Sequence, residues 1–347
     1  MGLPSDSGIE LWSKWPAGPR DLITDVPGVK VGHVTIQDGE VNTGLTAVLP
    51  HGGDLFLDKV MAAQVSLNGF GKSAGLLQIE ELGTIETPIL MTNTLSVGTA
   101  LTGLVRYMLE GHPDIGVTTG TVNCVVTECN DGHLNDIRGL HVREEHVRQA
   151  IEGASEDFAE GAVGGGTGMC CLGLKGGIGS ASRVLKIDGG DYTVGAMVMA
   201  NFGSAGNLVI GGRHVGREIQ RQKEAEKDQG SIILLIATDI PLSERQLKRV
   251  ARRASISLGL TWSFMGNGSG DIAIAFTTAN RVPHYSRTDI LPLRMFFDEN
   301  IDMVFEAAVE AMEEAILSAL YHGETTTGVR GNTVRGLRSY QLEEAGR

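Results

Sequence analysis

Cysteine is scarce in this chain. The 347 residues hold four, Cys124, Cys129, Cys170 and Cys171. They are too few for a disulfide scaffold and lack the paired spacing of a zinc site, so they read as small core residues in a reducing compartment. Histidine offers no metal pattern either. The nine are scattered, and His141 and His146 miss the i, i+4 spacing that shares a helix face. No metal and no cofactor is expected. Aromatic residues make up only 5%, and no basic stripe with interleaved aromatics occurs, which argues against nucleic acid. Long apolar runs are missing as well. No stretch reaches the length of a membrane helix, and the start MGLPSDSGIELWSKW has no apolar signal core. The expectation is a cytoplasmic protein with no membrane partner.

Glycine is what abounds: 48 residues, roughly twice the usual share of about 7%, so many turns and close backbone approaches are expected. A formal net charge of −13 favours solubility and disfavours a polyanionic partner. Length alone allows two domains or one large α/β domain. We read residues 1–20 as a loosely ordered arm carrying Trp12 and Trp15, and 21–347 as a single catalytic domain.

Along the chain, Pro27-Gly28 reads as a turn leading into a strand, and residues 43–50 as another. Residues 57–67 have helical spacing closed by Asn68-Gly69, residues 88–94 form a strand, and residues 96–109 a helix with Ser96 as N-cap. A strand over 122–128 ends in a polar turn, and a helix over 143–152 stops at Gly153. Further strands are expected over 193–201, 231–239 and 272–276, and helices over 243–259 and 301–320. Two tempting motifs fail. The run Asn68–Ser73 lacks the first glycine of a phosphate loop, since position 66 is Ser66. Gly71-Lys-Ser-Ala-Gly75 matches a hydrolase elbow, but the segment before it reads as a helix where an elbow needs a strand.

One junction stands apart. Residues 217–230 carry eight charges among fourteen residues, a soluble and mobile composition, and end in Gly230. Ser231-Ile-Ile-Leu-Leu-Ile-Ala-Thr-Asp239 follows at once as a buried strand. Cutting the bond between them would make Ser231 a new chain end, with a hydroxyl nucleophile and an α-amine base whose unperturbed pKa is about 7.7–8.0. By itself the stretch reads first as a surface linker before a strand, Gly-Ser being a common turn pair.

Other polar groups gather at strand ends. Glu128 follows one strand, Asn201 another, and Lys175 opens a glycine-rich turn. Ser269 and Asp271 precede a strand, and as alternate residues of an extended chain they share one face. Singly, each reads as a turn-former or solvated strand end. Together they supply what an amide hydrolase needs: a nucleophile, a proton acceptor, an oxyanion donor and a handle on the substrate.

The ordered blocks are more specific than any one residue. Thr24-Asp-Val-Pro-Gly-Val-Lys-Val-Gly-His33, Leu90-Met-Thr-Asn-Thr94 with Ser96-Val-Gly98, and Glu128-Cys-Asn-Asp-Gly-His-Leu-Asn-Asp136 come first. Gly164-Gly-Gly-Thr-Gly168, Lys175-Gly-Gly-Ile-Gly179, Ala200-Asn-Phe-Gly203, Gly230-Ser-Ile-Ile233 and Asn267-Gly-Ser-Gly-Asp271 follow. From Leu22 to Leu320 the chain resembles the self-cleaving, DmpA-type aminopeptidase family. That family includes the L-aminopeptidase/D-alanyl esterase–amidases and β-peptidyl aminopeptidases, with the nylon-oligomer endohydrolases as distant kin.

The resemblance implies an α/β fold: a four-layer α/β/β/α sandwich of the DmpA/ornithine-acetyltransferase-like type, cleaved at Gly230–Ser231 into an α chain, 1–230, and a β chain, 231–347. It implies Ser231 as nucleophile, Ser269 and Asp271 as its polar partners, Asn201 as oxyanion amide and Glu128 as the carboxylate for the substrate amine. Asn130, where some members carry tyrosine, and Lys175 are read beside Glu128 as substrate-contacting. Asp271 is shorter than the glutamate common in the peptidases. The implied activity releases small amino-terminal residues from peptides, amides or esters. β-Peptides or ω-amino oligomers form the alternative substrate class, and an uncut relative binding a small ligand the non-enzymatic one. A homo-oligomer, with a tetramer as the family's expectation, is also implied.

Overall fold

A computed structural model of the chain describes residue 3 and residues 7–220 and 230–340. Most of the charged stretch expected to be mobile, 221–229, lies outside the described residues. In chain order the strands are β1 (Lys30–Asp38), β2 (Val41–Leu49), β3 (Asp58–Gly69), β4 (Thr84–Ile85), β5 (Ile89–Asn93), β6 (Val125–Cys129), β7 (Cys170–Cys171) and β8 (Leu174–Lys175). They continue with β9 (Gly177–Ile187), β10 (Gly190–Asn201), β11 (Ser231–Thr238), β12 (Gly270–Pro283), β13 (Thr326–Thr327) and β14 (Thr333–Val334). The helices are α1 (Leu76–Leu82), α2 (Val97–Gly111), α3 (Glu144–Glu152), α4 (Val215–Gln220), α5 (Glu244–Leu260) and α6 (Asp302–His322).

Two sheets pack face to face. One has the order β1-β2-β5-β6, the other β4-β3-β12-β11-β10-β9. Between them lies an apolar layer that includes Val31, Val48, Ile89, Met197, Ile233, Leu235 and Ile274. The outer face of the small sheet packs on α2 and α3 through Leu45, Leu90, Leu104 and Val147. The outer face of the large sheet packs on α5 and α6 through Leu234, Ile236, Leu247, Met312 and Ile316. The layers are therefore α/β/β/α, as expected. Burial of each large side chain removes apolar surface from water, worth about 1.5–3 kcal/mol apiece.

That layering explains one misread element. Residues 57–67 form most of strand β3, not a helix. Val60 and Ala62 face the layer between the sheets, while Met61 and Ala63 face the helices. A strand covered on both sides shows no polar–apolar alternation, so its sequence imitates a buried helix. The elbow motif consequently does sit between a strand and a helix, β3 and α1. Its serine still lacks the required setting. Ser73 is absent from the non-glycine residues with positive φ, and its buried Oγ makes no hydrogen bond among the described residues.

Smaller differences appear at the termini of elements. Ser96 precedes α2, but its side chain does not cap it; Asn93 Oδ1 instead accepts from the Ser96 N–H at 3.0 Å. Ser243 does cap α5 in a capping box with Gln246. The arm is more firmly held than its composition suggested. Ser13 Oγ donates to Glu310 Oε2 at 2.8 Å, Lys14 N to Glu310 Oε1 at 3.1 Å, and Val184 N to Pro16 O at 2.8 Å.

Candidate active site

Six strand ends meet at one edge of the sandwich. In the large sheet, β10 ends at Asn201, β11 starts at Ser231, β12 starts at Gly270 and β3 ends at Gly69. In the facing sheet, β5 ends at Asn93 and β6 at Cys129. The convergence follows from register. Asn201 pairs with Ser231 in the antiparallel β10–β11 ladder, Ile232 pairs with Asp271 in the parallel β11–β12 ladder, and Asp271 pairs with Asn68. Because β11 and β12 run parallel, both begin at the same edge.

Ser231 is 7% exposed, and its Oγ accepts from the Gly270 N–H at 3.1 Å. Gly230 before it is wedged against the end of β10. A Cβ at that position would lie 1.9 Å from Asn201 O and 2.7 Å from Phe202 Cα. Only glycine fits there without moving main chain. Beside the junction, Ser269 Oγ donates to Asp271 Oδ1 at 2.6 Å, the shared face expected of alternate residues. Asn68 Nδ2 donates to Gly266 O at 2.9 Å and to Ser269 O, pinning the glycine turn that delivers this pair.

The Asn201 amide is held at both ends. Its Oδ1 accepts from Cys170 N–H at 2.8 Å, and its Nδ2 donates to Asn130 O at 3.0 Å. An amide nitrogen carries two hydrogens, so a second N–H remains uncommitted among the described residues. The Asn130 side chain turns back on its own loop, its Oδ1 accepting from Gly132 N–H at 2.9 Å. Asn130 thus reaches Asn201 through its carbonyl, a contact that residue type could not announce.

Glu128 is buried at the end of β6. Its Oε1 accepts from Lys72 N–H at 2.8 Å and its Oε2 from the Thr94 hydroxyl. The turn that carries Lys72 bridges this carboxylate to the junction. A Cβ on Gly71 would stand 3.4 Å from Glu128 Oε1 and 4.0 Å from Gly270 Cα, and Gly270 is the residue bonded to Ser231. Glu128 and the Asn201 amide are thus both tied to Ser231, the carboxylate by way of the Gly71–Lys72 turn and Gly270, the amide through the β10–β11 pairing.

Lys175 does not meet the expectation of a substrate contact. It is fully buried, and its Nζ donates to Gly166 O at 3.1 Å, Met169 O at 2.8 Å and Gly176 O at 2.8 Å. Three N–H groups with three carbonyls leave nothing to offer a ligand. Burial lowers its pKa to about 8. Its role in this geometry is to brace the 166–170 turn, and so the Cys170 N–H that holds Asn201. Thr94, Asn68 and Asp131 also support the site, and reading residue by residue missed them. Their signal was adjacency: each sits in or beside a polar strand-end block.

No cluster of His, Cys, Asp or Glu among the described residues forms a metal site. None of the four cysteines is joined in a disulfide, and burial raises the Cys129 thiol well above its ordinary pKa. No helix among the described residues is long and apolar enough to cross a membrane.

Comparison with known proteins identifies the family. The model of peptidase family S58 matches residues 21–334. A β-peptidyl aminopeptidase, BapA, of Sphingosinicella microcystinivorans is 39% identical over 362 aligned residues, covering 97% of this chain and 90% of the relative. Among solved structures, the PH0078 protein from Pyrococcus horikoshii OT3 superposes with a TM-score of 0.93 at 50% identity, covering 97% and 96% of the two chains. An L-aminopeptidase D-Ala-esterase/amidase from Ochrobactrum anthropi has a TM-score of 0.88 at 39% identity, covering 96% and 94%. That structure is described as a prototype of the serine aminopeptidases and a variant of the Ntn hydrolase fold.

Proposed function

The chain belongs to peptidase family S58 and is a hydrolase of the aminopeptidase/amidase kind, and on that premise we propose that it matures by cutting itself between Gly230 and Ser231. In the proposed first step Ser231 Oγ attacks the Gly230 carbonyl carbon. The peptide C–N bond breaks, an ester joins the two chains, and the Ser231 nitrogen leaves as a free amine. Water then hydrolyses the ester. In the mature protein the same hydroxyl attacks a substrate carbonyl, and the freed α-amine takes its proton and returns it to the leaving group. Ser269 and Asp271 hydrogen-bond this amine and hydroxyl, and the Asn201 N–H supports the oxyanion, a contribution of about 3–4 kcal/mol per donor.

The observation that carries this reading is the pairing of Ser231 with Asn201 at a strand start whose preceding residue admits no side chain. Glu128 gives the site its preference for a free amino end. Its carboxylate is buried and linked through the Gly71–Lys72 turn to Gly270, the partner of Ser231, and an ammonium there gains a charge-assisted hydrogen bond worth roughly 1.5–3 kcal/mol. The substrates are peptides, amides or esters with a small amino-terminal residue such as glycine or alanine. The β-peptidyl aminopeptidases among the relatives support a second reading, in which β-amino residues are the substrates. Hydrolysis rates of an alanine anilide and a β-homoamino amide separate the two. We further propose a cytoplasmic homo-oligomer.

Glu128→Gln is expected to lower kcat/KM for free-amine substrates about 10- to 100-fold, the kinetic equivalent of that bond. Self-cleavage stays nearly intact, because among the described residues Glu128 bonds Lys72 and Thr94 and not Gly230 or Ser231. Acetylated substrates are poor for the native protein and lose little more. Equal losses on free and acetylated substrates would show that Glu128 acts only structurally.

A further inference from the structure

We propose that Asp131 is a positioning residue for the Asn201 amide: it locks the turn whose Asn130 carbonyl holds Asn201 Nδ2. The proposal rests on the reading above, in which Asn201 serves the oxyanion. Asp131 is wholly buried and lies one residue beyond Asn130. Its Oδ2 accepts from Thr43 Oγ1 at 2.6 Å and its Oδ1 from Asn135 Nδ2 at 3.0 Å, while its carbonyl accepts from Leu134 N at 3.1 Å and Asn135 N at 3.0 Å. The 131–135 turn is thus closed by side chain and main chain together.

The direction of each bond is forced. Asn93 Oδ1 accepts from Ser96 N, so its Nδ2 faces Thr43 and donates to Thr43 Oγ1 at 2.8 Å. Thr43 Oγ1 already accepts there, and its own proton goes to Asp131. Asn135 Oδ1 accepts from Asn42 N at 3.1 Å, which turns its Nδ2 toward Asp131. Both carboxylate oxygens therefore meet donors. An asparagine of the same shape would present an N–H to one of them, and a buried donor facing a donor loses a bond and its desolvation cost as well. Burial raises the Asp131 pKa to about 6, while the hydrogen bonds from Thr43 and Asn135 favour the ionised form that accepts them.

The turn that holds the other end of the Asn201 amide lies against the same residue. A Cβ on Gly168 would lie 2.9 Å from Asp131 Cβ and 2.3 Å from Asn42 O. The 166–170 turn thus lies directly on Asp131, while Lys175 grips it through Gly166 and Met169. One turn fixes Asn201 Oδ1 through Cys170 N, the other fixes Nδ2 through Asn130 O, and Asp131 supports both. The amide cannot rotate unless one of these turns moves.

A double-mutant cycle on the mature protein, with an alanine anilide as substrate, tests this. Asn201→Ala alone should lower kcat on the order of 100- to 1,000-fold. Asp131→Asn alone should lower kcat about 10- to 100-fold with KM within about twofold, because the group acts on the transition state through Asn201. In the Asn201→Ala background the Asp131→Asn change should cost under about threefold, since coupled residues are non-additive. Should Asp131→Asn fail to mature, the Thr43 pair decides. Thr43→Val should reproduce the kcat loss, and Thr43→Ser, which keeps the hydroxyl, should stay near native. An Asp131 or Thr43→Val loss that is undiminished without Asn201, or that falls on KM alone, overturns the proposal. If Asn201→Ala leaves kcat unchanged, the oxyanion reading itself fails and takes the proposal with it.

Discussion

Ser231→Ala is expected to remain a single uncut chain of 347 residues with no measurable aminopeptidase activity. In the proposed mechanism the same hydroxyl serves both reactions, so its removal stops maturation and leaves the site without a nucleophile. Loss of a serine nucleophile lowers kcat by up to about 10⁶-fold in a hydrolase whose other groups are intact. Here the effect is compounded, because without cleavage the α-amine stays locked in a peptide bond and cannot act as a base. The fold should survive, since the strand Ile232–Thr238 keeps its pairings on both sides. Denaturing mass spectrometry reads the result directly. A variant that still splits at this bond would mean that another group performs the cut. Native protein recovered as one uncut yet fully active chain would refute the maturation scheme altogether.

Gly230→Ala should slow self-cleavage about 100-fold or more while leaving Ser231 in place. The added methyl would need to sit 1.9 Å from the Asn201 carbonyl oxygen and 2.7 Å from Phe202 Cα. Both are main-chain atoms, so relief requires the junction to lift off the end of β10. A displacement of about 1 Å between reacting groups can cost on the order of 100-fold in rate. The variant separates position from chemistry. Its precursor should persist for hours on a mass-spectrometric time course, yet any cleaved molecules should hydrolyse substrate at the native rate, because the nucleophile is unchanged. Cleavage at the native rate would show that the tight fit at Gly230 is irrelevant to the cut.

The arrangement also accounts for how one edge of a sandwich holds several polar groups without unfolding it. Glu128, Asn201, Ser269 and Asp131 are each bonded to neighbours at the ends of strands. Buried polar groups are tolerated when hydrogen-bonded and costly when not. The apolar layers stop just short of this edge, with Ile233 and Ile272 two or fewer residues from the site. The core therefore carries the stability, and the strand ends carry the chemistry.

By itself the sequence determined the strand that begins at Ser231, the charged composition before it, the lengths of α3 and α5 with the glycine stop of α3, and the polar blocks at the strand ends. Local signals suffice for these: β-branched runs, N-cap residues and glycine stops act within a few residues of the chain. Ordered blocks also sufficed for the family and its four layers. Tertiary structure alone decided that 57–67 is a strand, since only burial on two faces erases its alternation. It decided that Lys175 faces three carbonyls rather than a ligand, and that Asn130 contributes its main chain rather than its side chain. It also brought Thr43, Asn93 and Asp131 into one directed chain of hydrogen bonds from segments far apart in sequence. Hydrogen-bond partners across such distances are set by sheet register and layer packing, which no local pattern encodes.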